Sequence, residues 1–267
     1  MEIGFIGLGS MGSRIVDLLI DGGHELTLWA RRPVSLEPYA GRARSVASPK
    51  EVGRASDLVG ICVWDEHDVE EVLLGEDGVL AGVRPEAVIA IHSTIPPAAC
   101  QRLQQTAATS GARLIDAPVS VGSSLPKLLM MVGGERDAVE RCRPALESAA
   151  DPLLHLGPVG SGQIAKLVNN TMLAATIGLG EDAIAFGADL GLDATALAAA
   201  LAAGSCRGTW STFVNRPRPE PGDQSASRTT EWAQKDVSYA LGLAAQASLD
   251  QERHVLRLAR RGVEVVG

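Results

Sequence analysis

Apolar residues along the first 155 positions fall into short runs separated by stretches with helical spacing. The runs Glu2–Ile6, Glu25–Trp29, Leu58–Val63, Ala87–Ile91, Arg113–Ile115, Leu128–Val132 and Leu153–Leu156 are brief and rich in Val, Ile and Leu, and they predict strands. Between them Arg14–Ile20, Val69–Leu74, Pro97–Thr109 and Arg136–Ala149 predict amphipathic helices. Strand and helix in strict alternation predict an α/β fold with a mostly parallel, doubly wound sheet.

The pattern changes near Gly162. No strand-like run follows for almost a hundred residues, and Ala and Leu dominate. Residues 162–190 contain no proline and predict one helix, about 45 Å long at 1.5 Å per residue. Its apolar residues (Leu167, Val168, Met172, Leu173, Ile177, Leu179, Ile184, Phe186) fall on more than one face, so it needs cover on several sides. Gly191 and Asp193 predict a stop and a new N-cap, with a second helix to about Ala203. Residues 215–227, with Pro217, Pro219 and Pro221, predict a loop, and helices near Thr230–Ala247 and Asp250–Arg260 complete the chain. The expected organisation is a sheet domain over 1–158 and a smaller all-helical domain over 159–267, entered by the long helix.

With 46% hydrophobic and 21% charged residues, the 267-residue chain has the composition of a globular enzyme. Its net charge of -8 gives no electrostatic reason to bind nucleic acid or an anionic membrane. The apolar run Met172–Gly180 is about half the ~20 residues a membrane span needs. Cys62, Cys100, Cys142 and Cys206 form no CxxC pair and have no histidine at metal-ligand spacing, so free thiols in a reducing cytoplasm and no metal are expected.

Gly7-Leu8-Gly9-Ser10-Met11-Gly12 fits G-x-G-x-x-G, follows an apolar strand at once and opens a helical run. That context makes it a dinucleotide-binding turn on a Rossmann-type sheet, with the helix N-terminus offering N–H groups to phosphates. The second strand ends in Ala30-Arg31-Arg32, where a site for NAD carries an acid. Two arginines suit a 2′-phosphate, so NADP(H) is favoured and NAD(H) is the alternative. Val63 closes one later strand and Thr94 follows another, on the side where open parallel sheets bind ligands.

The chemistry concentrates in Gly160-Ser161-Gly162-Gln163-Ile164-Ala165-Lys166-Leu167-Val168-Asn169-Asn170. Two glycines loosen the start of the long helix, and Lys166 and Asn170 lie four apart on one face. The positive helix end and a neighbouring oxidised nicotinamide both disfavour the ammonium, which brings the Lys166 pKa towards the range useful for proton transfer.

With the glycine turn, Asp116-Ala117-Pro118-Val119-Ser120, the Gly160–Asn170 segment and Lys235-Asp236 in that order, the chain resembles the β-hydroxyacid dehydrogenase family, the group of 3-hydroxyisobutyrate dehydrogenases and glyoxylate/succinic semialdehyde reductases. The resemblance spans most of the chain. It implies that Lys166 exchanges a proton with the substrate oxygen, that Asn170 and Ser120 bind the substrate, and that Val121 and Gly122 line the same place. It implies further that Thr94 lies beside the nicotinamide, that Lys235 reaches the cofactor, and that Asp236 ties the helical domain to the substrate site. Hydride transfer then belongs to the cofactor, and the protein supplies orientation and proton management.

Three departures fall on the substrate side. Val121 stands where the family has glycine, and its Cβ narrows the approach to a carboxylate. Arg228 replaces a common aromatic, with Trp232 one turn closer, and the chain ends early. A hydroxyacid other than 3-hydroxyisobutyrate, an aldehyde or keto acid, or a bulkier carbonyl compound is therefore expected. An imine reductase-like enzyme is a competing reading, against which Lys166 argues. A non-catalytic NADP-binding sensor is a second, which has no need of a proton-transfer residue. A phosphogluconate-type decarboxylating dehydrogenase needs a larger helical domain than this chain has. The long apolar helix predicts at least a homodimer built through residues 160–267.

Overall fold

The structure, a computed structural model, describes residues 1–121, 126–214 and 224–266. It divides by internal packing into two compact units, Met1–Lys166 and Leu167–Gly267.

In the first unit the strands are β1 (Ile3–Ile6), β2 (Leu26–Trp29), β3 (Arg44–Ser45), β4 (Leu58–Ile61), β5 (Val88–Ile91), β6 (Arg113–Asp116), β7 (Val119–Val121), β8 (Leu128–Gly133) and β9 (Ala150–Gly157). The helices are α1 (Ser10–Asp21), α2 (Pro49–Ala55), α3 (Glu66–Leu74), α4 (Pro97–Thr109), α5 (Arg136–Ala149) and the start of α6 (Ser161–Asp189). The sheet order is β3-β2-β1-β4-β5-β6-β8-β7, with β9 pairing β8. The first six strands pair in parallel, Ile3 beside both Leu26 and Leu58, and Ile61 beside Ile91. This is the doubly wound, mostly parallel sheet that the apolar pattern predicts.

Period-2 alternation sends successive side chains to opposite faces. Phe5, Leu28, Val88 and Ala90 join α1 and α5 in one core through Ile15, Leu19, Val139 and Leu146. Ile6, Val59, Ile61, Ile89 and Ile91 join α3 and α4 in the other through Val69, Leu73 and Leu103. Both faces are covered, so these strands are apolar at nearly every position, Thr27 of β2 being a polar exception.

The strict alternation expected from the sequence breaks after β6. Strands β6, β7 and β8 follow one another without a helix, and both β6 and β7 pair β8 antiparallel. Ala117-Pro118 interrupts the strand direction, and Pro118 has no N–H to continue a ladder. Ser120 therefore lies inside a short strand.

In the second unit α6 continues and is followed by α7 (Ala194–Ala203), α8 (Trp210–Val214), α9 (Gln224–Gln246) and α10 (His254–Val266). Asp193 caps α7 as expected, its carboxylate accepting from Ala196 N–H at 2.8 Å. Helix α9 begins earlier than the sequence predicts. Residues 215–223 of the predicted loop lie outside the described residues. The core here is small: Ala174 and Ala175 of α6, Val237 of α9 and Ala259 of α10. A Cβ on Gly262 would come within 1.7 Å of Ala174 O, so α10 lies backbone to backbone on α6. Among the described residues no helix is long and apolar enough to cross a membrane.

Candidate active site

Strand β1 delivers the chain into the glycine turn. Gly7 has φ +93°, and a Cβ there would meet Cys62 O at 2.2 Å, so glycine is required twice over. A Cβ on Gly12 would lie 1.9 Å from Gly7 O, which lets α1 pack directly on the turn. Gly9 differs: it is the N-cap of α1, with ordinary φ of -75° and open space where its Cβ would be. The first turn of α1 carries no acidic residue and no side-chain cap, so its N–H groups remain available to an anion. Ser10 is exposed, while Leu8 and Met11 lean on the core.

Strand β2 ends at Trp29, and buried Ala30 leads to exposed Arg31 and Arg32. Arg31 Nη2 donates to Asp68 Oδ1 and Glu71 Oε2, each at 2.7 Å. These are carboxylates of α3, one turn apart. The Asp68 hydrogen bond, more than any other contact, raises the Arg31 pKa.

A buried polar network organises the ends of β4, β5 and β6. Val63 N–H donates to Ser93 Oγ at 2.8 Å, joining the predicted cofactor residue Val63 to the Ser93-Thr94 turn. Gln163, fully buried on the first turn of α6, donates through Nε2 to Ser93 O at 2.8 Å and accepts from Ile95 N–H at 3.2 Å. Thr94 is thus bracketed by two bonds from one side chain. Asp116, fully buried at the end of β6, accepts from Gly160 N–H at 2.7 Å and from Gln163 N–H at 2.8 Å. Its carboxylate caps the helix that carries Lys166. Burial pushes its pKa up, against the hydrogen bonds from Gly160 and Gln163.

The sequence expectation that the two glycines loosen this helix start is corrected for Gly162. A Cβ there would fall 2.3 Å from Met131 O and 2.9 Å from Asp116 Oδ2, so Gly162 serves close packing. Lys166 is half-buried on the second turn of α6. Ser120 is half-buried in β7, and Val121 is 59% exposed. Gly122 and the side chain of Arg228 lie outside the described residues.

In the second unit Asn170 and Asp236 are both buried, and Asn170 Nδ2 donates to Asp236 Oδ2 at 2.5 Å. Asn169 Nδ2 donates to Asn170 Oδ1 at 2.9 Å. An ionised carboxylate only accepts, so the Asn170 amide is held in one orientation, with a second N–H left to donate. Lys235 Nζ stands 3.5 Å from Asp236 Oδ1 and 5.6 Å from the Tyr239 ring centroid. Asp236 Oδ1 is buried without a hydrogen-bond partner. The structure brings Asn170, Lys235 and Asp236 together, two residues expected at the substrate and one expected at the cofactor.

Asp116, Gln163 and Asn169 are the residues that sequence reasoning quoted in motifs without giving them work. An acid closing an apolar strand was the available signal for Asp116, since a carboxylate there must find donors. Among the described residues no group of His, Cys, Asp and Glu is placed to hold a metal.

Residues 2–157 match the family model for the NAD binding domain of 6-phosphogluconate dehydrogenase. Residues 160–261 match that described as the NAD-binding region of NADP-dependent 3-hydroxyisobutyrate dehydrogenase. The chain is 31% identical over 254 residues to an NAD-dependent L-serine dehydrogenase of Pseudomonas aeruginosa, covering 92% of this chain and 85% of that protein. It is 31% identical over 222 residues to a 3-hydroxyisobutyrate dehydrogenase of the same organism, covering 82% and 74%. A Mycobacterium tuberculosis 3-hydroxyisobutyrate dehydrogenase structure with L-serine superposes with a TM-score of 0.81 at 27% identity, covering 99% of this chain and 94% of that one.

Proposed function

The chain belongs to the β-hydroxyacid dehydrogenase family, NAD(P)-dependent enzymes acting on CH–OH groups, and from that premise we propose that it prefers NADP(H) and interconverts a small hydroxyacid with the aldehyde or keto acid. The bound nicotinamide supplies or accepts the hydride. Lys166 holds the proton that leaves or joins the substrate oxygen. Asn170 donates its remaining N–H to substrate, Asp236 and Ser120 complete the substrate contacts, and Val121 and Gly122 shape that side. Gly7, Leu8, Gly9, Ser10, Met11 and Gly12 hold the pyrophosphate on the open N–H groups of α1. Ala30, Arg31 and Arg32 take the adenosine ribose, Val63 and Thr94 flank the dinucleotide, and Lys235 reaches it.

The observation that carries the reading is Lys166 on a helix start capped by a buried carboxylate, Asp116, and tied by Gln163 to the turn bearing Thr94. A proton-transfer residue needs its position held, and this network holds it. The L-serine dehydrogenase and the 3-hydroxyisobutyrate dehydrogenase among the relatives are named for β-hydroxyacids, which supports that substrate class. Val121 at the substrate side supports a substrate other than 3-hydroxyisobutyrate. The same proposal makes the protein a cytoplasmic homodimer or higher homo-oligomer.

The test follows absorbance at 340 nm with NADPH and NADH against aldehyde acids, keto acids, imines and larger ketones. Lys166→Ala is expected to lower kcat by about 10²–10⁴-fold and to leave NADPH binding unchanged. Binding without turnover across the panel would replace the dehydrogenase reading with the sensor, and turnover of imines alone would replace it with the reductase.

A further inference from the structure

Arg31 follows β2 by two residues, where the ribose of a dinucleotide is read. An exposed arginine there takes a 2′-phosphate as a bidentate partner. In this chain the guanidinium is already engaged. Asp68 Oδ1 and Glu71 Oε2 both accept from its Nη2 at 2.7 Å, and both stand on the same face of α3. One positive and two negative groups make a cluster of net charge -1, and Asp65, also within electrostatic reach of Arg31, offsets neighbouring Arg32. A phosphate entering this cluster meets repulsion from two carboxylates and competes with them for one guanidinium. A ribose hydroxyl enters on different terms, because carboxylates accept its hydrogen bond.

The acid that is missing from the end of β2 is therefore supplied from α3. We propose that Asp68 and Glu71 are specificity-determining residues: they restrain Arg31 and narrow the preference for NADP(H), so that NAD(H) is also accepted. The proposal rests on the reading of Arg31 as the 2′-phosphate residue. Asp68 has a second attachment, its Oδ2 accepting from Trp64 N–H at 3.4 Å beside the N-cap Asp65, so its replacement also touches the start of α3. Glu71 lies beyond the first turn and is 56% exposed. Glu71→Gln is accordingly the cleaner variant.

The experiment measures dissociation constants of NADPH, NADH and adenosine 2′,5′-bisphosphate by quenching of tryptophan fluorescence. It uses the full chain as wild type, Glu71→Gln, Asp68→Asn, the double variant and each of these with Arg31→Ala. The double variant is expected to bind NADPH and the bisphosphate about tenfold more tightly, equivalent to 1.4 kcal/mol, and NADH more weakly than wild type. Glu71→Gln alone moves in the same direction by less, and Arg31→Ala abolishes the gain. Unchanged or weaker NADPH binding in both Glu71→Gln and the double variant overturns the proposal. So does a gain that survives Arg31→Ala, because the carboxylates would then act without Arg31. If wild type binds NADH as tightly as NADPH and Arg31→Ala changes neither, the NADP(H) preference falls. The double variant still decides the inference in that case, since a released Arg31 must then create a preference that wild type lacks.

Discussion

His92 sits at the end of β5, buried, stacked on Phe5 with ring centroids 5.7 Å apart, and its Nδ1 lies 2.8 Å from Ala117 O. A carbonyl only accepts, so Nδ1 carries the hydrogen. Burial pushes the His92 pKa down to about 4. The unfolded chain titrates near 6.5, so between these values the unfolded state binds the proton and the folded state does not. Stability from this group is complete above pH 6.5 and is lost as pH falls towards 4, by about 3 kcal/mol in total. Asp116 works the other way, because its raised pKa lets the folded chain take a proton first on acidification. The histidine contribution is isolated by comparing wild type with His92→Gln in urea unfolding from pH 7.5 to 4. The gap between them should close on acidification, and parallel curves would refute it. Gly9 offers a second test among single residues. With ordinary φ and nothing near its missing Cβ, Gly9→Ala should leave the unfolding midpoint in place. A methyl group above the open helix end should weaken NADPH and NADH alike, by about tenfold. Normal binding of both in this variant would mean that the pyrophosphate lies elsewhere.

Among the elements, Pro97–Thr109 and Arg136–Ala149 are helices over the residues that the apolar pattern predicts, and the apolar runs of β1, β2, β4, β5 and β6 were legible in the same way. Short elements were not. Strand β3 is only Arg44-Ser45, both exposed, and its pairing is decided by β2 beside it. Strand β7 has three residues, too few for alternation to register. Helix α2 did leave a signal. Ser48 accepts from Glu51 N–H at 3.4 Å, Glu51 accepts from Ala47 N–H at 3.0 Å, and Pro49 takes the first helical position. This is close to a capping box with proline at N1, readable from Ser-Pro-Lys-Glu alone. The start of α6 illustrates the harder case. The motif reads from sequence, but the need for Gly162 comes from Met131 and Asp116, distant in the chain. Gly162→Ala should therefore shift the helix start that carries Lys166. The expected outcome is a fall in stability of about 1–3 kcal/mol, as overpacking costs, together with a lower kcat. Thermal unfolding and single-turnover rates check it. Unchanged stability and rate would show that the segment yields freely.

At the scale of the whole molecule, the first unit has cores on both faces of its sheet, whereas the second is built around alanines. Sequence alone exposed this imbalance as a long helix with apolar residues on several faces. One of those faces is uncovered in the single chain. Val168, Met172, Leu179 and Phe186 are spaced by four, seven and seven residues, which puts them in one stripe along α6. They are 62%, 56%, 55% and 66% exposed. A run of large apolar side chains on one helix face marks an association surface more often than it marks bare solvent contact. A second copy presenting the same stripe meets it with like chemistry, which is the isologous arrangement common in homodimers. Light scattering at micromolar concentration should give at least twice the chain mass. Met172→Glu with Phe186→Glu places like charges on both copies, and neither lies in the small core, so the monomer should stay folded while the mass falls. A wild type already at the mass of one chain would refute the interface. So would a double variant that keeps the mass of wild type with its circular dichroism intact.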